Sequence, residues 1–415
     1  MRTAEDFAKS FFANRIGGEN FGKADKIYKF EKIKRAKRAV LAKYPRRIFL
    51  DMGVGEPDEM ANMGTIDVLF REVQQFENRG YADNGCSEFK EAAAKYMASM
   101  FNVPLDADNE ILHSLGSKAA LSILPLCFVN ESDTVITTTP GYPIFGTHAQ
   151  YLGANVIKLP LSKANDYLPE IEKLGEKTLQ KTKVVLLNYP NNPTGATCTR
   201  EFFKKIIELA HRHKFLVIND AAYAGLTFNK ADRLSILEIS GSKEVALELH
   251  SMSKGFNMTG WRIGWVCGNK HLIDAYGNVK DNMDSGQFLA IQKAAAHALA
   301  NISIPEANGA RYSMRMDFVT AIMGEHGFEL DKPKAGFFLY GVTPTRAEFN
   351  GTVTKFDSAE QFAAWMITEL GIICVPWDDV EPAVRLSMTF SSDTLSERQA
   401  LELLKERVSP VRFFS

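Results

Sequence analysis

The sequence has no apolar run that approaches the roughly 20 residues of a membrane-spanning helix, so no such span is expected. Cysteine is sparse. The five, at positions 86, 127, 198, 267 and 374, are odd in number and form no C-x-x-C pair. That argues against a disulfide framework or a cysteine zinc site, and for a reducing cytoplasm. Neither charge sign is in excess: 49 Lys and Arg stand against 50 Asp and Glu, a formal net of −1. No global field is available to hold a nucleic acid or an anionic membrane. The first residues, "MRTAEDFAKSFFANRIGG", carry acids where a signal peptide would have a basic start and an apolar centre. Internal repeats and low-complexity segments are missing too.

What is present is an ordinary apolar fraction in 415 residues, enough for two or three domains or one large one with an appendage. The opening fifty residues read as an arm and then a helix. In "YKFEKIKRAKRAVLAKYPRR" the positions Phe30, Ile33, Val40 and Leu41 recur near helical spacing. The basic residues between them suit the solvated face of an amphipathic helix better than a nucleic-acid patch, since the overall charge is balanced. A long middle section alternates short β-branched or apolar runs ("DTVITTTP", "KVVLLNYP", "FLVINDAAY", "VALELHSMS") with helical patterns. One of these, "TREFFKKIIELAHRH", has Thr199 as its expected N-cap. In "EFKEAAAKYMASMF", Phe89, Ala93, Tyr96, Met97, Met100 and Phe101 form one helical stripe suited to a core. This alternation predicts an α/β fold with a mostly parallel sheet between helices. From about residue 305 the pattern changes to a long helix, the strand "GFFLYGVTP", a helix, a strand pair and a last helix. The expected organisation is an arm and helix over 1–50 belonging with a smaller domain, a large domain over 51–304, and a small α+β domain over 305–415.

Ligands of open α/β sheets bind beyond the carboxyl ends of the strands, and the unusual residues lie there. "LHSLGSKAALSIL" offers a Gly116-Ser117-Lys118 turn opening a helix, a natural seat for phosphate. "TPGYPIF" exposes Tyr142 on a turn bracketed by prolines, suited to stacking on a flat ligand. "NYPNNPTGAT" holds Asn192 in a tight turn. "INDAAY" closes an apolar run with Asp220, which is costly unless it meets a cation, and offers Tyr223 three residues later. "HSMSKGFNMTGWRIGW" sets Lys254 among small and hydroxylated residues, with Ser251 before it and Arg262 eight places on. One ligand would use a phosphate seat, a stacking ring, an acid for a ring nitrogen, a donor for a ring oxygen and an amine for a carbonyl: pyridoxal 5′-phosphate. Trp261, Trp265, Phe337 and Phe338 read as core, and "HRH" at 211–213 as a solvated helix end in preference to a metal site.

The motifs "GEPD" at 55–58, "PGYP" at 140–143, "NNPTG" at 191–195, "NDAAY" at 219–223, "SMSKGFNMTGWRIG" at 251–264 and "VRLSMTF" at 384–390 occur in one order over nearly the full length. In that order and spacing the chain resembles a fold-type I, class I/II pyridoxal-phosphate aminotransferase. The resemblance implies a large domain with a mostly parallel seven-stranded sheet, as in aspartate aminotransferase-like enzymes. It implies Lys254 as the lysine joined to the cofactor and as proton carrier, and Asp220 as partner of the pyridine nitrogen. It assigns Tyr223 and Asn192 to the ring oxygen. The phosphate falls to Gly116, Ser117, Lys118, Ser251 and Arg262, and Tyr142 stacks on the ring. Arg385, with Gly55 beside it, takes the substrate carboxylate. Tyr81 matches the tyrosine that reaches the phosphate of the neighbouring subunit, so a homodimer with a shared site is implied.

Within that family, "YKFEKIKRA" at 28–36 and "GSK" at 116–118 resemble elements of LL-diaminopimelate aminotransferases, in which the tyrosine matched by Tyr28 lines the substrate pocket. That implies amino transfer between LL-2,6-diaminopimelate and 2-oxoglutarate, in the lysine and cell-wall pathway. Those enzymes carry a glutamate after the interface tyrosine. The loop here, "YADNG", is shorter by one, and Asp83 is expected to supply the charge from the partner subunit. Aminotransferases of aspartate, alanine or aromatic amino acids are the near alternative. Lyases acting at the β- or γ-carbon on the same scaffold are the more distant one.

Overall fold

The computed structural model describes residues 8–21, 35, 38–392 and 395–415. The expected pocket residue Tyr28, and Phe30 and Ile33 of the expected N-terminal helix, lie outside the described residues. Among the described residues, fifteen strands run in chain order. The first is β1 (Leu50–Asp51). The large sheet comprises β2 (Ile111–Ser114), β3 (Thr134–Thr139), β4 (Asn155–Pro160), β5 (Thr182–Leu187), β6 (Leu216–Asp220), β7 (Ala246–Ser251) and β8 (Gly264–Gly268). Its order is β2-β8-β7-β6-β5-β3-β4. Only β8 runs against its neighbours, pairing antiparallel with β2 and β7, while the pairs from β7 through β4 are parallel.

The strands are apolar on both faces because helices cover both. Alternate side chains go to opposite sides. Val185, Leu187 and Val217 join Phe89, Phe203 and Phe215 in one core, whereas Val184, Leu186 and Ile218 join Leu121, Phe145 and Tyr276 in the other. The stripe anticipated on helix Ser87–Phe101 is its buried face. Thr199 caps helix Arg200–His213 by accepting from the Phe202 amide.

A third core gathers the C-terminal part. It contains helix Ser303–Glu325, β9 (Phe338–Val342), β14 (Ala383–Ser387) and helix Glu397–Val408. β13 (Val375–Trp377), β14 and β9 form one antiparallel sheet. β10 (Arg346–Phe349), β11 (Thr352–Lys355) and β15 (Val411–Phe414) form another. This second sheet was missing from the sequence reading, since its strands are four residues each and two of them alternate with exposed positions. β1 pairs in parallel with β12 (Ile372–Ile373), so Leu50 and Met52 belong to this core. Ala222 and Tyr223, just past β6, also pack into it. The two parts therefore meet at the carboxyl end of the large sheet. Among the described residues no helix is long and apolar enough to cross a membrane.

Candidate active site

The loops that follow β2, β3, β5, β6 and β7 converge on a cavity of about 970 Å³. Its lining includes Gly55, Ser117, Lys118, Tyr142, Asn192, Asp220, Tyr223, Ser251, Lys254, Arg262 and Arg385. The carboxyl ends of the strands bring together residues from Ser117 to Lys254 by layout alone, and Gly55 and Arg385 join them from outside the large sheet.

At the floor, Asp220 ends β6, 4% exposed. Burial raises its carboxyl to about 7, against the pull of the Ala222 amide and the Lys254 charge. Lys254 lies in the short helix Met252–Gly255 that follows β7. Its Nζ donates to the Gly55 carbonyl at 2.5 Å. Burial brings this amine down to about 8; Glu56 opposes the shift, and Arg385 and Arg262 add to it. The result is a lysine and an aspartate in one cavity whose proton affinities are close to each other and to neutrality, which is the setting for proton exchange. Burial pushes the Tyr223 phenol up and keeps it a donor.

One wall is a cradle for an anion. Helix Ser117–Phe128 begins at Gly116 with no side-chain cap, so its first amides are free to face a ligand. Gly116 has φ +77°, and a Cβ there would lie 2.6 Å from Arg262 Nη2. The Arg262 guanidinium donates to Thr259 O at 2.8 Å and Leu115 O at 3.2 Å, and reaches Ser253 Oγ at 3.4 Å. Arg262 itself sits in the left-handed region, at φ +57°. Ser251, Ser253 and Thr259 add hydroxyls to the lining.

The opposite wall holds Arg385, 3% exposed. Its Nη2 donates to Gly53 O at 2.9 Å and its Nη1 to Asn192 Oδ1 at 3.1 Å. The guanidinium carbon lies 4.2 Å from the centre of the Phe338 ring. A side chain at Gly55 would come 3.5 Å from Phe338 and 3.6 Å from Arg385, filling the space in front of the guanidinium. The "GEPD" segment is fixed behind it. Arg315, fully buried, pairs with Asp58 at 2.7 Å and Glu397 at 2.5 Å, and the Ser391 amide donates to Asp58 at 2.9 Å. Beneath the floor, Glu248 accepts from Ser235, Ile236 and Asn219 and faces His250 Nε2 at 2.8 Å, pinning β6 to β7 beside Asp220 and Ser251.

Two expected site residues stand apart. Tyr81 is 86% exposed and Asp83 is exposed, and neither lines the cavity of its own chain. Phe338, read as core, is core and also the platform under Arg385. His213, read as solvated, is buried beside Glu176, because it falls on the same face of helix Arg200–His213 as Ile206 and Ala210. Among the described residues, no group of three or more His, Cys, Asp or Glu is arranged to hold a metal. The sequence reading also missed Thr137, Thr138, Lys158, Trp377 and Asp379 in the lining. The run of threonines ending β3 was a usable signal. Asp379 had none, because nothing local separates it from Asp378, which caps helix Ala359–Trp365 through the Ala359 amide at 2.7 Å.

A lysine in the short helix that follows a buried strand, an acid closing the adjacent strand, an uncapped helix start facing an arginine and a second, buried arginine are the features of a family of amino-group transferring enzymes. The family profile described as "Aminotransferase class I and II" matches residues 47–399, and the chain belongs to that family. Among curated proteins it is similar to the LL-diaminopimelate aminotransferase of Methanocaldococcus jannaschii, 45% identical with 93% of this chain and 91% of that protein covered. It is also similar to that of Methanococcus maripaludis, 42% identical with 99% of each covered. Among solved structures, substrate-bound BacF from Bacillus subtilis superposes with a TM-score of 0.83 at 28% identity, covering 94% of this chain and 97% of that one.

Proposed function

We propose that the chain transfers the amino group between LL-2,6-diaminopimelate and 2-oxoglutarate, with pyridoxal 5′-phosphate as cofactor. The cofactor's donor requirements fit the residues present. The uncapped amides at Ser117, the hydroxyls of Ser251 and Ser253, and Arg262 suit a phosphate dianion. The raised carboxyl of Asp220 suits a basic ring nitrogen, and Lys254 suits a carbonyl carbon. When bound, the cofactor supplies an aldehyde that condenses with amines and a cationic ring that accepts the electron pair left on a substrate α-carbon.

The protein's own part follows from its side chains. Asp220 becomes a carboxylate facing the ring nitrogen and holds a proton there. Lys254, with an amine brought down to about 8, is uncharged often enough near neutral pH that it would take a proton from the substrate α-carbon and return it to the carbon supplied by the cofactor's aldehyde, on the far side of the nitrogen. Tyr223, held protonated by burial, donates to the ring oxygen. Asn192 turns its oxygen to Arg385, which leaves its amide NH2 as a second donor there. Arg385 receives the α-carboxylate in a two-point fork, which fixes the bond to be broken relative to the ring. Tyr142 stacks on the ring.

Substrate choice rests on the two diaminopimelate aminotransferases at 45% and 42% identity over nearly the whole chain. A diamino dicarboxylate needs an acid for its far ammonium. Asp379 lies in the lining, and Asp83 is offered outward on the Tyr81 loop. We read that loop as serving a second copy. Met60, Phe70 and Phe76 are each at least 69% exposed, apolar side chains that a second copy would cover. The observation that carries the proposal is Lys254 and Asp220 sharing one buried cavity with Arg385. Its test is Lys254→Ala: the variant folds, shows none of the wild type's bound-cofactor absorbance and gives no turnover. Full activity in that variant sinks the reading.

A further inference from the structure

Lys280 is a charged side chain that the reaction above does not use, yet it is 1% exposed. Burying an ammonium costs several kcal/mol unless it is fully paired, so its partners are informative. At the end of helix Lys270–Lys280 its Nζ pairs with Asp284 Oδ1 at 2.6 Å and donates to the Asp83 carbonyl at 2.9 Å. Asp284 Oδ1 also accepts the Gly286 amide at 2.8 Å. Gly286 has φ +80°, and a Cβ there would stand 2.4 Å from Asp83 O and 2.5 Å from Asp83 N. The two backbones are therefore in direct contact. One residue on, Asn84 Nδ2 donates to Asp281 at 2.6 Å, and the Cys86 amide donates to Gln292 at 2.8 Å.

The same segment reaches the anion cradle. Gln287 Nε2 donates to the carbonyls of Trp261 at 2.5 Å and Arg262 at 2.8 Å, and its Oε1 faces His113 Nε2 at 3.0 Å. The loop over residues 81–86 and the backbone of Arg262 are thus two ends of one polar network anchored on residues 280–292. Tyr81 and Asp83 point out of their own chain, whereas Arg262 faces its own cavity.

We propose that Lys280 is a positioning residue for the partner subunit's active site: it fixes the main chain at Asp83, so that Tyr81 and Asp83 are delivered to the second copy in one arrangement. This rests on the shared-site reading above. Gln287 ties the same segment to Arg262, so the loop offered to one site is braced against the anion cradle of the other.

The test is subunit complementation with two affinity tags, using cofactor-loaded dimers. Lys280→Met homodimers are expected to show about a tenfold rise in KM for the amino donor with kcat changed less than threefold. In hybrids of Lys280→Met with Lys254→Ala, the one working lysine is served by the intact loop of the Lys254→Ala chain. These hybrids are expected to return to the wild-type KM at half the wild-type activity per dimer. Hybrids that keep the raised KM overturn the proposal, because Lys280 then acts inside its own chain. A parallel hybrid of Tyr81→Phe with Lys254→Ala separates the two claims. If Tyr81→Phe is not rescued, the shared-site reading fails; if it is rescued and Lys280→Met is not, only the Lys280 assignment fails. Amide hydrogen exchange supplies a readout besides activity. In cofactor-free Lys280→Met, residues 81–86 should exchange at least tenfold faster, with 251–262 unchanged, and unaltered protection of 81–86 counts against the idea. Should Lys280→Met fail to fold, Gly286→Ala displaces the Asp83 backbone without removing a charge and is put through the same hybrids.

Discussion

Arg385 Nη1 donates to Asn192 Oδ1 at 3.1 Å, across 193 residues of chain. The contact joins a strand of the C-terminal core to a turn of the large sheet. In the proposed reaction it couples two tasks, holding a substrate carboxylate and presenting a donor to the ring oxygen. Arg385→Lys removes the planar fork and the bond to Asn192 together. The expected outcome is a KM raised about 10- to 100-fold for every amino donor, the loss of roughly 1.5–3 kcal/mol of charge-assisted hydrogen bonding, with cofactor still bound. Steady-state kinetics on three or more donors checks it, and a selective effect on one donor contradicts a common carboxylate grip.

Asp220 links the site to stability. Its folded-state value, about 7, lies above its ordinary 3.8 because burial disfavours the charge. The folded state therefore keeps a proton that the unfolded state gives up. In cofactor-free protein the stability associated with that proton is present below pH 3.8 and is lost as pH rises through 7. Asp220→Asn removes the loss, so cofactor-free Asp220→Asn should exceed cofactor-free wild type by a few kcal/mol at pH 8, with the gap closing toward pH 4. Denaturant unfolding at several pH values measures this. The same variant should lose nearly all turnover, since amide cannot hold the ring nitrogen protonated.

Gly116 is the tightest point of the anion cradle. A methyl group there meets Arg262 Nη2 at 2.6 Å and must adopt φ +77°. Gly116→Ala should displace the guanidinium and strain the turn by about 1–3 kcal/mol, since its φ of +77° with ψ of 165° lies in a region essentially reserved for glycine. Cofactor titration should show affinity about tenfold weaker, with the kcat of the fully loaded enzyme largely kept.

In the proposed reading two acids serve the far ammonium of a diamino substrate, Asp379 in the cavity lining and Asp83 on the Tyr81 loop. Asp379→Asn and Asp83→Ala should each raise KM for LL-diaminopimelate more than for glutamate. Equal effects on both donors from both variants remove the case for recognising a distal amine.

Most of the large sheet was legible because its strands are short apolar runs closed by turn residues, as "FLVINDAAY" illustrates. These residues of the cavity lining were legible for the same reason: Asp220 and Ser251 close such runs and Lys254 follows three residues on. Phe338 was only half read. A strand aromatic beside Phe337 looks like packing, and its second use depends on Arg385, which arrives from a strand 47 residues later. Asp379 carried no local mark, because its difference from Asp378 is set by which of the two meets a helix terminus. Nothing in the sequence around Lys280 marks it out. Its burial comes from the return of the 81–86 loop, a contact between segments 197 residues apart.

The account's central claim is tested most directly by supplying purified, cofactor-loaded enzyme with LL-2,6-diaminopimelate and 2-oxoglutarate and following glutamate. Stoichiometric glutamate, formed faster than from aspartate, alanine or phenylalanine as donor, is the predicted result. Glutamate formed from those donors but none from LL-diaminopimelate would contradict it.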